Sequence, residues 1–299
     1  MNLRSIASSP LVLRGGMTLS RHTPDKVAQS ALWWLSGLLC RVRPAAYSIL
    51  AGNLGRVLGP GAGPAAIDRT IRQVFFSTLR SHFDLYRAFQ WPREKLGGLV
   101  DVPEATKDVA RSLWNRAGGT VLVFPHMGAF DLGGQIMAGY VPEIQLLTLP
   151  DPPPGFQLAN ELRRRTGTKV TPLSSGALRQ AIRHLREGGV VALTGDRPVS
   201  DLDDLVPFFG RPARVPSAHV RLALKCGSAV VMTCCVLNRE TRKWVVHMEP
   251  PLEMVRTGER IEDVRLNMRR VLDALEAIIR RWPEQWQMFV PVWPALPEA

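Results

Sequence analysis

Cysteine is scarce and badly spaced for metal or disulfide chemistry: Cys40, Cys226, Cys234 and Cys235 include no C-x2-C pair. Three of the four fall in one apolar stretch that reads as a buried strand and its approach, so neither a zinc ribbon nor a disulfide framework is expected. Histidines are few, and His22, His82, His184, His219 and His247 show no metal-ligand spacing, which leaves each a structural or surface residue and no metal expected. Long apolar runs are also missing. The nearest, residues 30–40 (SALWWLSGLLC), stops at Arg41 and Arg43, short of the roughly 18 to 20 apolar residues that a membrane span needs. The first twenty residues hold Arg4, Arg14 and an apolar run of only residues 11–13, too short for a secretory signal, so a cytoplasmic chain is expected. Acid is short relative to base, with 26 Asp and Glu against 38 Lys and Arg and a net charge of +12. Such a balance attracts polyanions: nucleic acid, anionic headgroups or acidic cofactors. Aromatics at 7% and the lack of a recognition helix, zinc knuckle or aromatic sheet motif argue against nucleic acid.

What is present is a core. Hydrophobic residues make up 45% and charged residues 21% of 299 positions, enough for one large globular domain. The pattern divides into a weakly structured N-terminus over residues 1–20 and a single domain over 21–299. Met17 follows the weakly patterned stretch and is a second possible start. Thr23-Pro24-Asp25 reads as an N-cap, a proline in the first helical position and a first-turn acid, opening an Ala-, Leu- and Trp-rich helix. Its Trp33 and Trp34, flanked by Lys26, Arg41 and Arg43, suit either a helix lying in a membrane interface or plain core. After the turn at 59–64 (GPGAGP), Ile67, Ile71, Val74, Phe75 and Leu79 recur at helical spacing, with Arg69, Arg72 and Arg80 on other faces. From about residue 119 the texture changes. Segments 121–124, 144–149, 170–173, 190–193 and 230–236 read as strands. Between them Leu178, Ala181, Ile182 and Leu185 mark a helix starting at Ser174 or Ser175. Val264, Met268, Val271, Leu272, Leu275, Ile278 and Ile279 mark a C-terminal helix. The expected fold is α/β: a helical N-terminal portion to about residue 115, then a mixed sheet flanked by helices.

The chemistry concentrates in residues 120–134 (TVLVFPHMGAFDLGG), where a buried strand ends at Pro125, His126 follows and Asp131 enters the next helix. Strand ends and the helix starts after them are where open α/β sheets bind ligands. An Asp there can hold one imidazole nitrogen and leave the other free to take a hydroxyl proton. Gly128 leaves room for close approach, and helix-start N–H groups suit an oxyanion or a phosphate. As a spacing alone, H-x4-D is equally compatible with a structural histidine. Asp201 and Asp203 form a D-x-D, the metal-holding spacing of nucleotide-sugar glycosyltransferases, although acids so placed in a loop commonly make only a solvated turn.

His126-Met-Gly-Ala-Phe-Asp131 resembles the H-x4-D motif of the glycerolipid acyltransferase superfamily, in the branch holding bacterial lipid A late acyltransferases and phosphatidylinositol mannoside acyltransferases. Asn53 in 53–59 (NLGRVLG), the Arg-rich 163–167 (RRRTG), Gly195-Asp196-Arg197, residues 207–216 (PFFGRPARVP), 283–286 (PEQW) and 291–293 (PVW) are similar to further segments of that branch. The resemblance implies a glycerol-3-phosphate acyltransferase-like fold. It also implies transfer of a fatty acyl group from a thioester, acyl-CoA or acyl carrier protein, to a hydroxyl of a membrane glycolipid or phospholipid. His126 would be the general base and Asp131 its orienting partner, with no acyl-enzyme, in keeping with the missing G-x-S-x-G elbow. No permanently bound cofactor is implied. Gly128, Arg163, Arg165, Asp196, Arg197, Phe209, Arg211 and Arg214 would contact substrate, the arginines meeting anionic coenzyme A and lipid phosphates, though each could equally be a surface arginine. Asp196-Arg197, where lipid A enzymes tend to carry Asp-Gln or Asp-His, and a tail without paired basic residues lean toward the phosphatidylinositol mannoside side and an acyl-CoA donor. The expected location is the cytoplasmic face of the inner membrane, peripheral or monotopic on an anionic surface. A non-catalytic lipid-binding protein of the same fold is the competing reading.

Overall fold

The computed structural model describes residues 10–91, 93–150, 154–199 and 204–293. Asp201 and Asp203, the D-x-D pair, lie outside the described residues.

Four helices come first: α1 (Pro10–His22), α2 (Asp25–Val42), α3 (Ala45–Leu58) and α4 (Pro64–Gln90). α1 falls where the sequence predicts little structure. Its backbone is gripped from α4, with Gln90 Nε2 donating to the Met17 carbonyl at 2.8 Å and Arg87 Nε to that of Ser20 at 3.0 Å. Helix α2 starts where expected, but Thr23 does not cap it: its hydroxyl turns back to the Leu19 carbonyl at 2.7 Å. Arg80, placed by periodicity on an outer face of α4, is buried. It bonds Asp84 at 2.6 Å and Asp25 at 2.7 Å, while Trp244 Nε1 donates to Asp84 at 2.8 Å. A buried guanidinium is tolerable only when so paired, and this pairing fastens α2 to α4 and to the sheet.

The chain continues through α5 (Arg93–Leu96), β1 (Val100–Asp101), α6 (Glu104–Ser112), β2 (Thr120–Phe124), α7 (Phe130–Met137), β3 (Ile144–Thr148), α8 (Pro154–Arg165), β4 (Lys169–Pro172), α9 (Ser175–Arg186) and β5 (Val190–Thr194). After β5 come β6 (Asp204–Phe208), β7 (Arg211–Val215), α10 (Ala218–Cys226), β8 (Ala229–Leu237), β9 (Trp244–Met248) and α11 (Arg260–Arg281). The five expected strands are β2, β3, β4, β5 and β8. Ser174 caps α9 by accepting the Ala177 N–H at 3.0 Å. Strand β1, inside the portion expected to be helical, joins the sheet edge, and the F-F-G segment forms the antiparallel hairpin β6–β7.

The main sheet is seven-stranded, in the order β1-β9-β8-β2-β5-β3-β4. Strands β8, β2, β5, β3 and β4 run parallel and β9 runs against β8, which makes the sheet mixed. Helices flank both faces, so the central strands are apolar throughout. Val121, Val123, Val191, Leu193 and Met232 pack toward α9, α10 and α11, whereas Leu122, Ala192, Val231 and Cys235 pack under α7. In the crossing β2–β5, Phe124 pairs with Thr194, so the two strands end level with each other.

Candidate active site

That level ending sets the geometry of the site. Two residues beyond the paired Phe124 and Thr194 stand His126 and Asp196, on adjacent parallel strands with the same stagger. His126 Nδ1 lies 2.8 Å from Asp196 Oδ1, and the His126 backbone N–H donates to Oδ2 at 2.8 Å. Trp286 Nε1 donates to the same Oδ2, also at 2.8 Å. The Asp196 carboxylate is fully buried, and the His126 side chain keeps 19% of its surface exposed. A carboxylate offers only acceptors, so Nδ1 carries the proton and Nε2 presents its lone pair. Nε2 bonds to nothing among the described residues, and the ring stands edge-on to Phe130, which stacks on Phe124.

This arrangement departs from the pairing expected from the sequence. Asp131 lies in the first turn of α7, where a carboxylate suits the helix dipole, but no hydrogen bond joins it to the imidazole. Its Oδ1 accepts Nε of Arg163 at 2.8 Å and a second guanidinium nitrogen, while Arg163 Nη1 donates to Asn160 Oδ1 at 2.6 Å. Arg163 is therefore committed within the protein. The role assigned to Asp131, holding the imidazole, falls by geometry to Asp196, which the sequence reading placed among the substrate contacts. The chain order hides this pairing, because Asp131 is five residues from His126 and Asp196 is seventy. The signal that could have found it is position: each follows a strand by the same interval.

The C-terminal segment braces the motif loop. The Gln287 N–H donates to the His126 carbonyl at 2.7 Å, the Gly128 N–H to the Gln285 carbonyl at 2.9 Å, and Gln287 Nε2 to the Gly128 carbonyl at 2.7 Å. Gly128 sits at φ +55°, and a Cβ there would stand 1.9 Å from the Cys235 carbonyl oxygen. The space that Gly128 leaves is thus taken by strand β8, not by an open cleft. Asn53, buried within α3, clamps the same segment through Nδ2 to the Met288 and Val290 carbonyls at 3.0 and 2.8 Å. Sequence reasoning singled out Asn53 and Trp286 as family likenesses without a task; here both hold the wall that presses Asp196 onto His126.

The remaining candidates scatter. Phe209 occupies the β6–β7 turn at φ +48°, packs against Trp286 and Trp293, and lies under the Arg280 guanidinium at 4.6 Å, which makes it part of the brace. Arg211 is exposed and Arg214 half-buried on β7, and Arg197 is half-buried in the loop after β5. Arg165 is exposed, 3.3 Å from Glu161, with its guanidinium 4.6 Å from the centre of the Phe89 ring. Beside the Asp131–Arg163 pair, a narrow apolar cavity runs under α7 against the sheet, lined by Phe130, Gly134, Met137, Leu122, Leu146 and Cys235.

At the surface, α2 exposes Val27, Trp34, Leu38 and Val42 along one side, Trp34 to 74%. Its neighbour Trp33 instead packs on α4, edge-on to Phe76 and beneath the Arg72 guanidinium at 4.0 Å. Among the described residues no helix is long and apolar enough to cross a membrane.

The sequence matches the family described as bacterial lipid A biosynthesis acyltransferase over residues 9–294. It is 27% identical over 283 residues to a phosphatidylinositol mannoside acyltransferase of Mycolicibacterium smegmatis (strain ATCC 700084 / mc(2)155), covering 93% of this chain and 89% of that relative. A phosphatidylinositol mannoside acyltransferase of Mycobacterium tuberculosis (strain CDC 1551 / Oshkosh) is 29% identical over 258 residues, 82% of this chain and 76% of the relative. A family match over nearly the whole length, on a mixed α/β sheet with His126 held by the buried Asp196 at its strand ends, places this chain in the bacterial lipid A biosynthesis acyltransferase family.

Proposed function

We propose that this O-acyltransferase moves a fatty acyl group from acyl-CoA to a hydroxyl of a glycosylated phospholipid of the phosphatidylinositol mannoside type, with His126 as general base. The observation that carries the reading is the buried Asp196 carboxylate bonded to Nδ1 while Nε2 is left unbonded. In this mechanism Nε2 takes the proton of the acceptor hydroxyl as its oxygen attacks the thioester carbonyl carbon. The tetrahedral intermediate collapses with cleavage of the C–S bond, and the imidazolium returns the proton to the departing thiolate. Asp196 fixes the tautomer and steadies the transient positive charge, a service that general-base catalysis needs throughout. The first-turn N–H groups of α7 have no partner within their own helix and suit the developing oxyanion.

Asp131 and Arg163 act beside the imidazole, as an ion pair that fixes α7 to α8 at the rim of the apolar cavity. That cavity suits the acyl chain, since apolar burial is worth about 0.8 kcal/mol per methylene. The exposed stripe of α2, flanked by Lys26 and Arg41, suits docking on the anionic cytoplasmic face of the inner membrane, with Trp34 as the interfacial anchor. The names of the relatives support the acceptor class, and the surplus of arginine suits the phosphates of donor and acceptor.

The test is acyl transfer from isotopically labelled palmitoyl-CoA to a polar-lipid extract, resolved by mass spectrometry, for wild type and His126→Ala. The expected result is a new acylated glycolipid whose formation falls about a thousandfold in the variant, within the range for loss of a general base. If the wild type only hydrolyses or ignores both the CoA and the carrier-protein thioesters, the enzymatic reading gives way to the lipid-binding one.

A further inference from the structure

A second and larger cavity, about 430 Å³, opens between α2, α4 and the turn that joins β8 to β9. Ligand sites fall in a range of about 300–1,000 Å³. It lies at the same carboxyl end of the sheet as His126, because β8 runs parallel to β2 and ends at Leu237 in its wall. Gln285 lines it too, and that residue's carbonyl receives the Gly128 N–H of the motif loop. The cavity and the Asp–His pair therefore share one partition, the 285–287 segment.

Part of its polar lining is left unsatisfied by the protein. Ser77 is 3% exposed, and its hydroxyl has no hydrogen-bond partner among the described residues. The side-chain amides of Gln29 and Gln73, both half-buried, and the exposed guanidinium of Arg242 make no hydrogen bond or ion pair among the described residues. Buried polar groups are nearly always paired, and leaving one unpaired costs about 1–3 kcal/mol, so the buried Ser77 hydroxyl points to an absent partner, which the half-buried Gln29 and Gln73 amides and the exposed Arg242 guanidinium on the same cavity can also reach. Their chemistry states which one. Amides and a hydroxyl offer donors and acceptors together, as vicinal sugar hydroxyls require. A guanidinium takes a phosphate oxygen pair in a fork. Glu284, a carboxylate in the lining, is held by Arg239 at 3.2 Å, which leaves Arg242 as the unpaired cation.

We propose that this cavity binds the sugar–phosphate headgroup of the acceptor lipid. Arg242 takes the phosphodiester, and Gln29, Gln73 and Ser77 take sugar hydroxyls, against an apolar wall of Trp33 and Phe76. The proposal rests on the glycosylated-phospholipid reading above and gives it a place in the molecule. The headgroup enters beside α2, whose outer stripe faces the membrane while its inner side supplies Gln29 and Trp33.

The full-length protein is titrated calorimetrically with deacylated glycerophosphoinositol mannoside, with glycerophosphoinositol and with inorganic phosphate. It is also sedimented with phosphatidylcholine vesicles carrying equal fractions of phosphatidylinositol mannoside or phosphatidylglycerol. The variants are Ser77→Ala, Gln73→Leu and Arg242→Gln. Ser77→Ala removes an unsatisfied hydroxyl, so its melting temperature holds or rises and folding does not obscure the result. The mannosylated headgroup binds wild type more tightly than either smaller probe. Its Kd rises about five- to tenfold in Ser77→Ala and in Gln73→Leu, and tenfold or more in Arg242→Gln, as the loss of neutral and charge-assisted hydrogen bonds predicts. Equal binding of the headgroup by Ser77→Ala, Gln73→Leu and wild type overturns the proposal, as does a headgroup that binds no better than inorganic phosphate. Neither measurement uses an acyl donor. A protein that binds the headgroup but transfers no acyl group refutes the catalytic reading alone, and one that transfers without this binding refutes the cavity alone.

Discussion

Replacing Asp196 by Asn separates the two carboxylates that compete for the role of orienting His126. Asp196 Oδ2 accepts two N–H groups, from the His126 backbone and the Trp286 indole, and Oδ1 faces Nδ1. In the variant the amide oxygen must take the Oδ2 place, because an NH2 there would confront two donors. The amide NH2 is then forced toward Nδ1, which must turn its lone pair to it, and the ring proton moves to Nε2. A base with its proton already in place cannot accept another. Loss of the productive tautomer costs about three to four powers of ten in rate, or roughly 4–5 kcal/mol at 1.36 kcal/mol per decade. Every buried donor keeps a partner, so stability stays within about 1 kcal/mol, whereas Asp196→Ala would strand two N–H groups at about 1–3 kcal/mol each. The assay is single-turnover release of free thiol from palmitoyl-CoA with acceptor present, alongside urea unfolding. Asp131→Asn is the control: its oxygen still accepts from Arg163, and the expected loss is about tenfold through weaker positioning. A folded Asp196→Asn enzyme within fivefold of wild type, with Asp131→Asn the more damaged of the two, would refute the reasoning.

Three further outcomes are expected. His219 is buried with neither ring nitrogen bonded among the described residues, and burial pushes it down to about 4. Its neutral form stabilises the fold fully above the unfolded value near 6.5, and that stability is lost as pH falls from 6.5 toward 4. The total is about 3 kcal/mol, read as a urea midpoint that drops between pH 7.5 and 4.5 and drops less in His219→Leu. Gly128→Ala must seat a Cβ against the Cys235 carbonyl at positive φ, so it unfolds at least about 3 kcal/mol more easily and loses transfer activity, seen by calorimetric melting and product formation. Trp34→Ser removes an exposed side chain that touches no core, so melting stays unchanged while co-sedimentation with anionic vesicles falls about tenfold or more.

Local structure was legible where one physical signal dominated. The unbroken apolar run of β2, the period of α11 and the Ser174 cap each followed from side-chain chemistry acting over a few residues. Strand β9 and helices α6 and α10 were not read, since they are short and their burial comes from neighbours far along the chain. Arg80 shows the same limit. Its charge suggests solvent, yet Asp84, Asp25 and Trp244 make a buried place for it that no local pattern announces.

The sequence by itself determined the strand, turn and helix around His126, the α/β class and the family, because those depend on residues close in order or on motifs that keep their spacing. It did not determine which carboxylate meets the imidazole. That depended on β5 lying beside β2 with Phe124 level with Thr194, a strand order set by long-range packing of both sheet faces. Only that tertiary pairing brings Asp196, seventy residues away, to 2.8 Å from Nδ1 and leaves Asp131 to Arg163.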